Sequence, residues 1–399
     1  HIFYSRGAFE GNIALTTFCA GFLFWLKFTE KEKVKFFFFS FLFFVLSMYC
    51  YQSERLVVPL FGVVAASYSL KKLLPISKKL VLPFLIVLIV LLPILFLTFL
   101  PGGYHRALGV SIFSDQRNAP GWVNGTKPLM PKGQALLINN ELYLRTKQVA
   151  ALYLSYFSPR NLFSEGDYDQ QRSVEKFSVF YSFMLPFLLV GLINVMKKRT
   201  IKEKLLLAWI ILAPIPAAFT TDPFHTYRSL MLYMPLSALI GLGIFKSTEY
   251  FIKGYKLAYI LVITFVSIIN LSLFFYSYLV LTPAARASFW DYGYKEIVNF
   301  INRQTDYKEV RVDDPTTEAY IHFLFFGKTD PVVYQSEVNK FTNPKEYYYS
   351  SAQAIRPLGF EKFVFRSVDW PKERGDASTI FVFKAERLPP SEFETDPNI

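Results

Sequence analysis

The sequence predicts an all-α polytopic membrane domain of about eight transmembrane helices, followed by a C-terminal α/β domain. Eight stretches contain no Asp, Glu, Lys or Arg, and most reach the roughly 17–25 residues that a helix needs to cross the hydrocarbon. Basic clusters separate these stretches on alternate sides, and the composition changes abruptly after Ala285. The stretches are Gly11–Leu26, Phe36–Ser53, Leu56–Leu70, Leu80–His105, Ser178–Met196, Leu205–Thr221, Ser229–Phe245 and Leu257–Ala285.

Four connecting segments account for the excess of positive over negative charge and are predicted to be cytoplasmic. Lys27–Lys35, Lys71–Lys79, Lys197–Lys204 and Lys246–Lys256 contain 16 Lys and Arg against four Glu. The difference, 16 − 4 = 12, equals the formal net charge of +12. Because the inner loops account for the whole imbalance, the basic composition requires no nucleic-acid partner, and we expect none.

Residues 1–285 are therefore predicted to form the transmembrane domain, with 106–177 as an outward-facing insertion at the membrane interface. Within this insertion, the apolar spacing over residues 133–156 predicts an amphipathic helix that lies along the membrane surface. Arg145 and Lys147 are expected to face the lipid headgroups.

Residues 286–387 are predicted to form a soluble extracytoplasmic α/β domain, and the Pro-rich, acidic segment 388–399 a frayed tail. Apolar spacing predicts helices over 292–303 and 317–326. Strand patterns cover 309–312, 360–366 and 379–384.

Each of the three short segments predicted to face outward contains a single arginine. Arg6, Arg55 and Arg228 lie in the opening residues, the turn at 53–55 and the loop at 220–228. Arginine opposes the positive-inside tendency at that face, and its planar fork suits phosphate oxygens, so converging arginines would bind a lipid phosphate. The alternative is that each arginine snorkels to outer-leaflet headgroups.

Three further residues accompany these arginines. Tyr51 lies four residues before Arg55, and His225 lies three before Arg228, so each pair shares one face if the helices extend that far. His225 has a structural hydrogen bond as its alternative role. Glu10 follows Arg6 and either pairs with an arginine or approaches the reacting centre.

An acidic turn follows the predicted interfacial helix. Glu165, Asp167 and Asp169, with Arg172, would hold an acceptor hydroxyl or a divalent cation, although acidic turns are common. The sequence requires no cofactor and leaves a divalent metal possible. No Walker loop, dinucleotide fingerprint, zinc spacing or nucleophile elbow occurs.

Successive blocks of the chain resemble bacterial GT-C glycosyltransferases, in particular the group of the protein O-mannosyltransferases and the aminoarabinose transferase. The resemblance covers nearly the whole chain in order. Its blocks are His1–Glu10, then Tyr51, Arg55 and Pro59, then Tyr156–Pro159 with Leu162–Phe163 and Gly166–Asp167, then Pro223, His225, Arg228 and Pro235, and finally Trp290–Glu296 with Phe323–Phe326 and Asp330–Pro331.

This resemblance implies a GT-C-like enzyme that moves a sugar from a polyprenyl-phosphate donor to a glycan, lipid or protein acceptor, outside a bacterial inner membrane. Arg6, Glu10, Tyr51, Arg55, His225 and Arg228 would bind the donor phosphate and sugar, and Glu165, Asp167 and Arg172 would form the acceptor entrance. The family's base is an aspartate between its first two spans. Nothing in this chain matches that aspartate, so we expect it upstream of His1 and expect residues 1–399 alone to be inactive.

A different class of protein remains open. A non-catalytic membrane protein that binds or transports lipid-linked saccharides would also need to accommodate a lipid phosphate. The two classes differ in whether the donor is consumed or only bound.

Overall fold

The computed structural model divides into two compact units, residues 1–286 and 287–399, next to the boundary expected from composition. It describes residues 2–7, 9–74, 77–100, 109–114, 140–198, 200–250, 253–304, 306–313, 319–341 and 359–383. The predicted tail at 388–399 and most of the predicted insertion before residue 140 lie outside these residues.

The first unit is helical in its described residues. Its helices are α1 (Ile2–Arg6), α2 (Glu10–Lys31), α3 (Val34–Cys50), α4 (Glu54–Leu73), α5 (Ser77–Phe99), α6 (Glu141–Ser155), α7 (Leu185–Lys198), α8 (Ile201–Leu212), α9 (Ile215–Ala218), α10 (Leu230–Ser247), α11 (Lys256–Tyr276) and α12 (Thr282–Arg286). Short π turns cover Asn161–Glu165 and Ser277–Leu281.

Five helical stretches among the described residues are long and apolar enough to span a membrane. They are Glu10–Lys31, Glu54–Leu73, Lys78–Thr98, Leu230–Ser247 and Lys256–Trp290. These stretches make the chain compatible with a membrane protein.

Three of the eight predicted spans form shorter helices. Helix α3 is apolar but has 17 residues, and α7 and α8 have 14 and 12. Helix α8 ends where Ala213 and Pro214 precede the separate short helix α9, because a proline cannot continue a helix's hydrogen-bond ladder. The count of eight spans remains a prediction.

Close helix packing in this unit depends on small residues. A Cβ atom at Gly243 of α10 would lie 1.8 Å from the carbonyl oxygen of Phe187 in α7. A Cβ atom at Gly191 would likewise lie 2.0 Å from the Leu239 carbonyl oxygen. Since lipid is as apolar as the side chains, membrane helices associate through such close backbone approaches. This contact fixes the position of α10, and the loop described below leads into the N-terminal end of that helix.

The second unit contains a four-stranded sheet in the order β2-β3-β1-β4. Strand β1 pairs in parallel with β3 and β4, and β2 pairs antiparallel with β3. Its elements are α13 (Tyr294–Arg303), β1 (Glu309–Asp313), α14 (Ala319–Gly327), α15 (Pro331–Phe341), β2 (Gly359–Phe360), β3 (Phe363–Arg366), α16 (Trp370–Glu373) and β4 (Thr379–Val382).

Two features of this unit differ from the sequence prediction. The segment predicted as one strand over 360–366 forms two strands, because the chain reverses at Glu361, whose φ is +47°. Helices α15 and α16 were not predicted. The core of the unit is formed by Val298, Ile301, Val310, Val312 and Phe323.

Candidate functional site

A cavity of about 550 Å³ in the first unit brings together residues that are far apart in sequence. We call it the arginine cavity. Glu10 reaches it from the first turn of α2, Tyr51 from the α3–α4 connection and Arg55 from the first turn of α4. His225 and Arg228 reach it from the loop before α10. Five of the six residues predicted to bind the donor thus line one cavity.

Arg6 is not among the described residues that line the arginine cavity. Its guanidinium lies 5.6 Å from the centre of the Tyr278 ring, in a cation–π contact. Of the three arginines that the sequence analysis grouped, only Arg55 and Arg228 line the same cavity.

Arg55 is held by neutral acceptors. Its Nε atom donates to the Met48 carbonyl oxygen at 3.4 Å, and its Nη1 atom donates to Thr98 Oγ1 at 3.2 Å. No carboxylate within the described part of the chain forms an ion pair with it. The positive charge of Arg55 therefore remains available to an anionic ligand in the cavity.

Arg228 is partly neutralised by a residue that the sequence analysis missed. Its Nη1 atom lies 3.0 Å from Asp222 Oδ2. Asp222 is the only acidic residue in the loop from Thr220 to Arg228, and that isolation was the signal that could have identified it. An anion in the cavity would share Arg228 with Asp222.

The two predicted residue pairs do not lie on helix faces. Tyr51 follows the end of α3 in an extended conformation, and α4 begins only at Glu54. Residues 225–228 form turns before α10. The condition for a shared helical face is met by neither pair, although the members of both pairs line the same cavity.

His225 is a buried, neutral side chain with a defined tautomer. Its Nδ1 atom accepts the backbone N–H of Arg228 at 3.2 Å, which places the ring proton on Nε2. Burial, together with the charges of Arg228 and Arg172, lowers the pKa of His225 to about 2. The Nε2 atom is 3.8 Å from Asp222 Oδ2, too far for a hydrogen bond. His225 thus offers a neutral donor to a ligand.

The backbone around His225 is fixed by a tyrosine. Tyr156 is fully buried at the end of α6, and its hydroxyl accepts the backbone N–H of His225 at 3.1 Å. Burial raises the pKa of Tyr156 to about 12, so the hydroxyl stays protonated. Phe224, the residue before His225, has a φ of +37°, which is an uncommon conformation for a residue with a side chain. Strained residues of this kind cluster at functional sites.

Tyr227 joins the start of α2 to the cavity. Its hydroxyl accepts the backbone N–H of Gly11 at 2.8 Å, and its ring centre lies 5.0 Å from that of Tyr51. Burial raises the pKa of Tyr227, and the adjacent Glu10 carboxylate raises it further. A Cβ atom at residue 11 would lie 2.7 Å from the Tyr227 ring, so only glycine allows this approach. The sequence analysis did not identify Tyr227 or Gly11.

The predicted acceptor-entrance residues separate into two groups. Asp167 and Arg172 form a buried ion pair at 3.0 Å, in which the Asp167 side chain is 0% exposed. Asp167 Oδ2 also accepts the Thr226 backbone N–H at 2.8 Å and the Thr226 hydroxyl at 2.7 Å. Glu165, by contrast, pairs with Arg160 on the surface and is 52% exposed. Through Thr226, the Asp167–Arg172 pair therefore stabilises the loop that carries His225.

The structure contains a helix within the range 133–156, of which residues 133–139 lie outside the described residues. Helix α6 covers Glu141–Ser155, and Asn140 caps it by accepting the Tyr143 backbone N–H at 2.8 Å. Arg145 does not face headgroups. It is buried, forms an ion pair with Glu141 at 2.6 Å and donates to the Ile112 carbonyl oxygen, since a buried guanidinium needs partners.

No group of three or more His, Cys, Asp or Glu side chains in the described ranges is arranged to hold a metal ion. Asp167 and Asp169, the candidate metal ligands of the acidic turn, are both paired with Arg172.

The residue before Arg55 is a buried carboxylate that the sequence analysis did not identify. Glu54 is 1% exposed, and its Oε2 atom has no hydrogen-bond partner among the described residues.

The chain matches no protein-family model, and no curated protein or solved structure is significantly similar to it.

Proposed function

We propose that this protein is an integral membrane glycosyltransferase that moves a sugar from a polyprenyl-phosphate donor to an acceptor at the extracytoplasmic face. The observation that carries the proposal is the arginine cavity, which Arg55 of α4 and Arg228 of the loop before α10 line together with the neutral donor His225. Two guanidiniums and a neutral imidazole suit a phosphate diester that becomes a monoester dianion on reaction.

In the proposed reaction, a carboxylate base takes the proton of the acceptor hydroxyl as its oxygen attacks the anomeric carbon. The bond from that carbon to the phosphate oxygen breaks, and its electron pair stays on the phosphate. Negative charge then develops on the leaving polyprenyl phosphate. Arg55, which has no carboxylate partner among the described residues, supplies most of the stabilisation. Arg228 shares its charge with Asp222. Preorganised donors need no rearrangement as the charge develops, which lowers the barrier.

The remaining residues of the cavity would orient the donor. His225 presents its Nε2–H to a phosphate or sugar oxygen, and Tyr51 packs against Tyr227 at the same wall. Glu10 lies beside the Tyr227 hydroxyl, where it would accept a sugar hydroxyl. The Asp167–Arg172 pair acts indirectly by holding Thr226 and therefore the loop that carries His225 and Arg228.

The test uses the protein made from its complete reading frame, reconstituted in liposomes with a radiolabelled polyprenyl-phosphate sugar. We expect Arg55→Ala to reduce transfer about 10- to 150-fold, because a hydrogen bond to a charged group contributes about 1.5–3 kcal/mol. Arg228→Ala should also reduce transfer. Arg160→Ala, which removes an exposed arginine of the same unit, is the matched control and should leave transfer unchanged.

Unchanged transfer in both Arg55→Ala and Arg228→Ala would remove the arginine cavity from the reaction. Binding of the donor that is never followed by its consumption would instead identify the protein as a carrier or receptor of lipid-linked saccharides. Because the same liposomes report binding and transfer, the two classes are separated in one experiment.

A further inference from the structure

A second cavity of about 380 Å³ lies in the first unit, and its lining differs from that of the arginine cavity. We call it the aromatic cavity. Its walls are apolar side chains from the segment before α7 and from α11, with Ser237 and Tyr233 contributed by α10. The apolar residues include Phe177, Phe180, Tyr181, Leu271 and Phe274. Its volume falls within the range of about 300–1,000 Å³ that is typical of ligand pockets.

The polar groups that line the aromatic cavity already have partners. Arg172 is paired with Asp167 at 3.0 Å and with Asp169 at 2.9 Å. The Tyr4 hydroxyl lies 2.5 Å from Thr226 Oγ1 and donates to the Arg172 carbonyl oxygen at 2.9 Å. Because these charges are mutually neutralised, the described lining offers no net charge to an ionic ligand.

The position of this cavity indicates what surrounds it. Leu271 and Phe274 belong to the apolar stretch Lys256–Trp290, which is long enough to span a membrane. None of the residues of α11 is buried by other parts of the chain. In a bilayer, lipid chains would therefore cover α11 and meet the cavity wall that α11 forms.

We propose that the aromatic cavity binds the acyl chain of a bilayer phospholipid. Aromatic and aliphatic walls favour a hydrocarbon chain, the paired charges offer nothing to a phosphate, and bilayer phospholipid is the hydrocarbon present in greatest excess around α11. The bound chain would pack against the loop that carries Thr226, and the neighbouring residues His225 and Tyr227 of that loop line the arginine cavity. This inference does not depend on the transferase reaction.

The test uses the full chain reconstituted in liposomes that contain a phospholipid with a photoreactive diazirine in the middle of its acyl chain. A parallel sample contains a polyprenyl phosphate with a diazirine on an isoprene unit. After irradiation, mass spectrometry identifies the labelled residues. We expect the acyl probe to label residues 177–184 together with Leu271 and Phe274, in addition to the exposed surface of α5.

A pair of variants separates cavity labelling from surface labelling. Ser237 and Ala238 are adjacent, exposed residues of α10, but only Ser237 lines the cavity. Ser237→Trp should fill the space and strongly reduce labelling of 177–184, whereas Ala238→Trp should preserve it. Unchanged labelling of α5 in both variants reports that the helices have folded and inserted.

Three results would overturn the proposal: no acyl labelling of 177–184, equal labelling in both tryptophan variants, or labelling of these residues by the prenyl probe alone. The last result would assign the cavity to the chain of a prenyl lipid. None of the three results depends on whether the protein transfers a sugar.

Discussion

The arginine cavity and the aromatic cavity are lined by the same loop, but they satisfy their charges differently. In the aromatic cavity, Arg172 is enclosed by Asp167 and Asp169. In the arginine cavity, Arg55 contacts only neutral acceptors among the described residues, and Arg228 has one carboxylate partner. An arginine with two acidic partners serves the fold, whereas an arginine held by carbonyl and hydroxyl oxygens retains charge for a ligand.

The largest expected effect comes from breaking the ion pair behind the loop. Asp167→Ala leaves Arg172 buried without its main partner and removes both bonds to Thr226, so we expect a loss of about 3–5 kcal/mol in stability. Thermal unfolding of the purified protein in detergent measures it. Glu165→Ala, in the same acidic turn but on the surface, should cost no more than about 1 kcal/mol. Equal effects would show that Asp167 does not support the loop.

A smaller effect is expected from crowding the arginine cavity alone. In Gly11→Ala, the added methyl group would lie 2.7 Å from the Tyr227 ring and displace it, at a cost of about 1–3 kcal/mol. Binding of a polyprenyl phosphate should weaken, while acyl-chain labelling of the aromatic cavity should persist. Gly62→Ala is the control, because no atom lies within 4 Å of its added Cβ. Loss of function in both cavities would contradict their independence.

The neutral state of His225 predicts a pH dependence of stability. Its pKa of about 2 in the folded protein is below the ordinary value of 6.5, so the unfolded chain binds more protons between these values. The contribution of neutral His225 to the free energy of unfolding is therefore complete above pH 6.5. Below that pH it is lost by about 1.4 kcal/mol per pH unit. Melting temperatures measured from pH 7.5 to 5 should show a shallower slope in His225→Gln. Identical slopes would contradict burial of a neutral imidazole.

The smallest expected effect is a gain in ligand binding, in contrast to the loss expected for Gly11→Ala. Asp222→Asn removes the carboxylate that neutralises Arg228 while preserving the side chain's shape. An ion pair at a partly exposed site contributes about 0.2–1 kcal/mol, so the freed Arg228 should bind a polyprenyl phosphate up to about fivefold more tightly. A titration in nanodiscs measures the change. Weaker binding would show that Asp222 itself contacts the ligand or positions Arg228.

In the second unit, the sequence predicted α13, α14 and the strand segments, but it did not predict α15, α16 or the break between β2 and β3. In the first unit, the charge-free stretches predicted where the apolar helices lie, but they did not predict where those helices begin and end. Glu54 and Arg55 lie in the first turn of α4 rather than in a connecting turn, since a charge-free window cannot include the charged residues at a helix end. The same limit concealed the buried carboxylate Glu54.

Five of the predicted site residues line the arginine cavity. The partners of the charged residues, however, could not be derived from sequence spacing. Arg145 and Lys147 were both assigned to headgroups, whereas Arg145 is buried against Glu141. Asp167 and Glu165, two residues apart, have opposite environments. A residue's type shows that it needs a partner, whereas the identity of that partner depends on chain segments that are distant in sequence.

By itself, the sequence determined that apolar helices dominate the first unit and that single arginines lie at or beyond the ends of the apolar stretches. Those features can be read from local composition, because helical hydrogen bonds join residues four apart and the apolar character of a stretch is the sum of its own side chains. Only the tertiary structure decided which arginine keeps a ligand-accessible charge and which is neutralised. That choice depends on contacts between Arg172 and Asp167, between Arg228 and Asp222, and between Arg55 and Thr98, which exist only after the helices have packed.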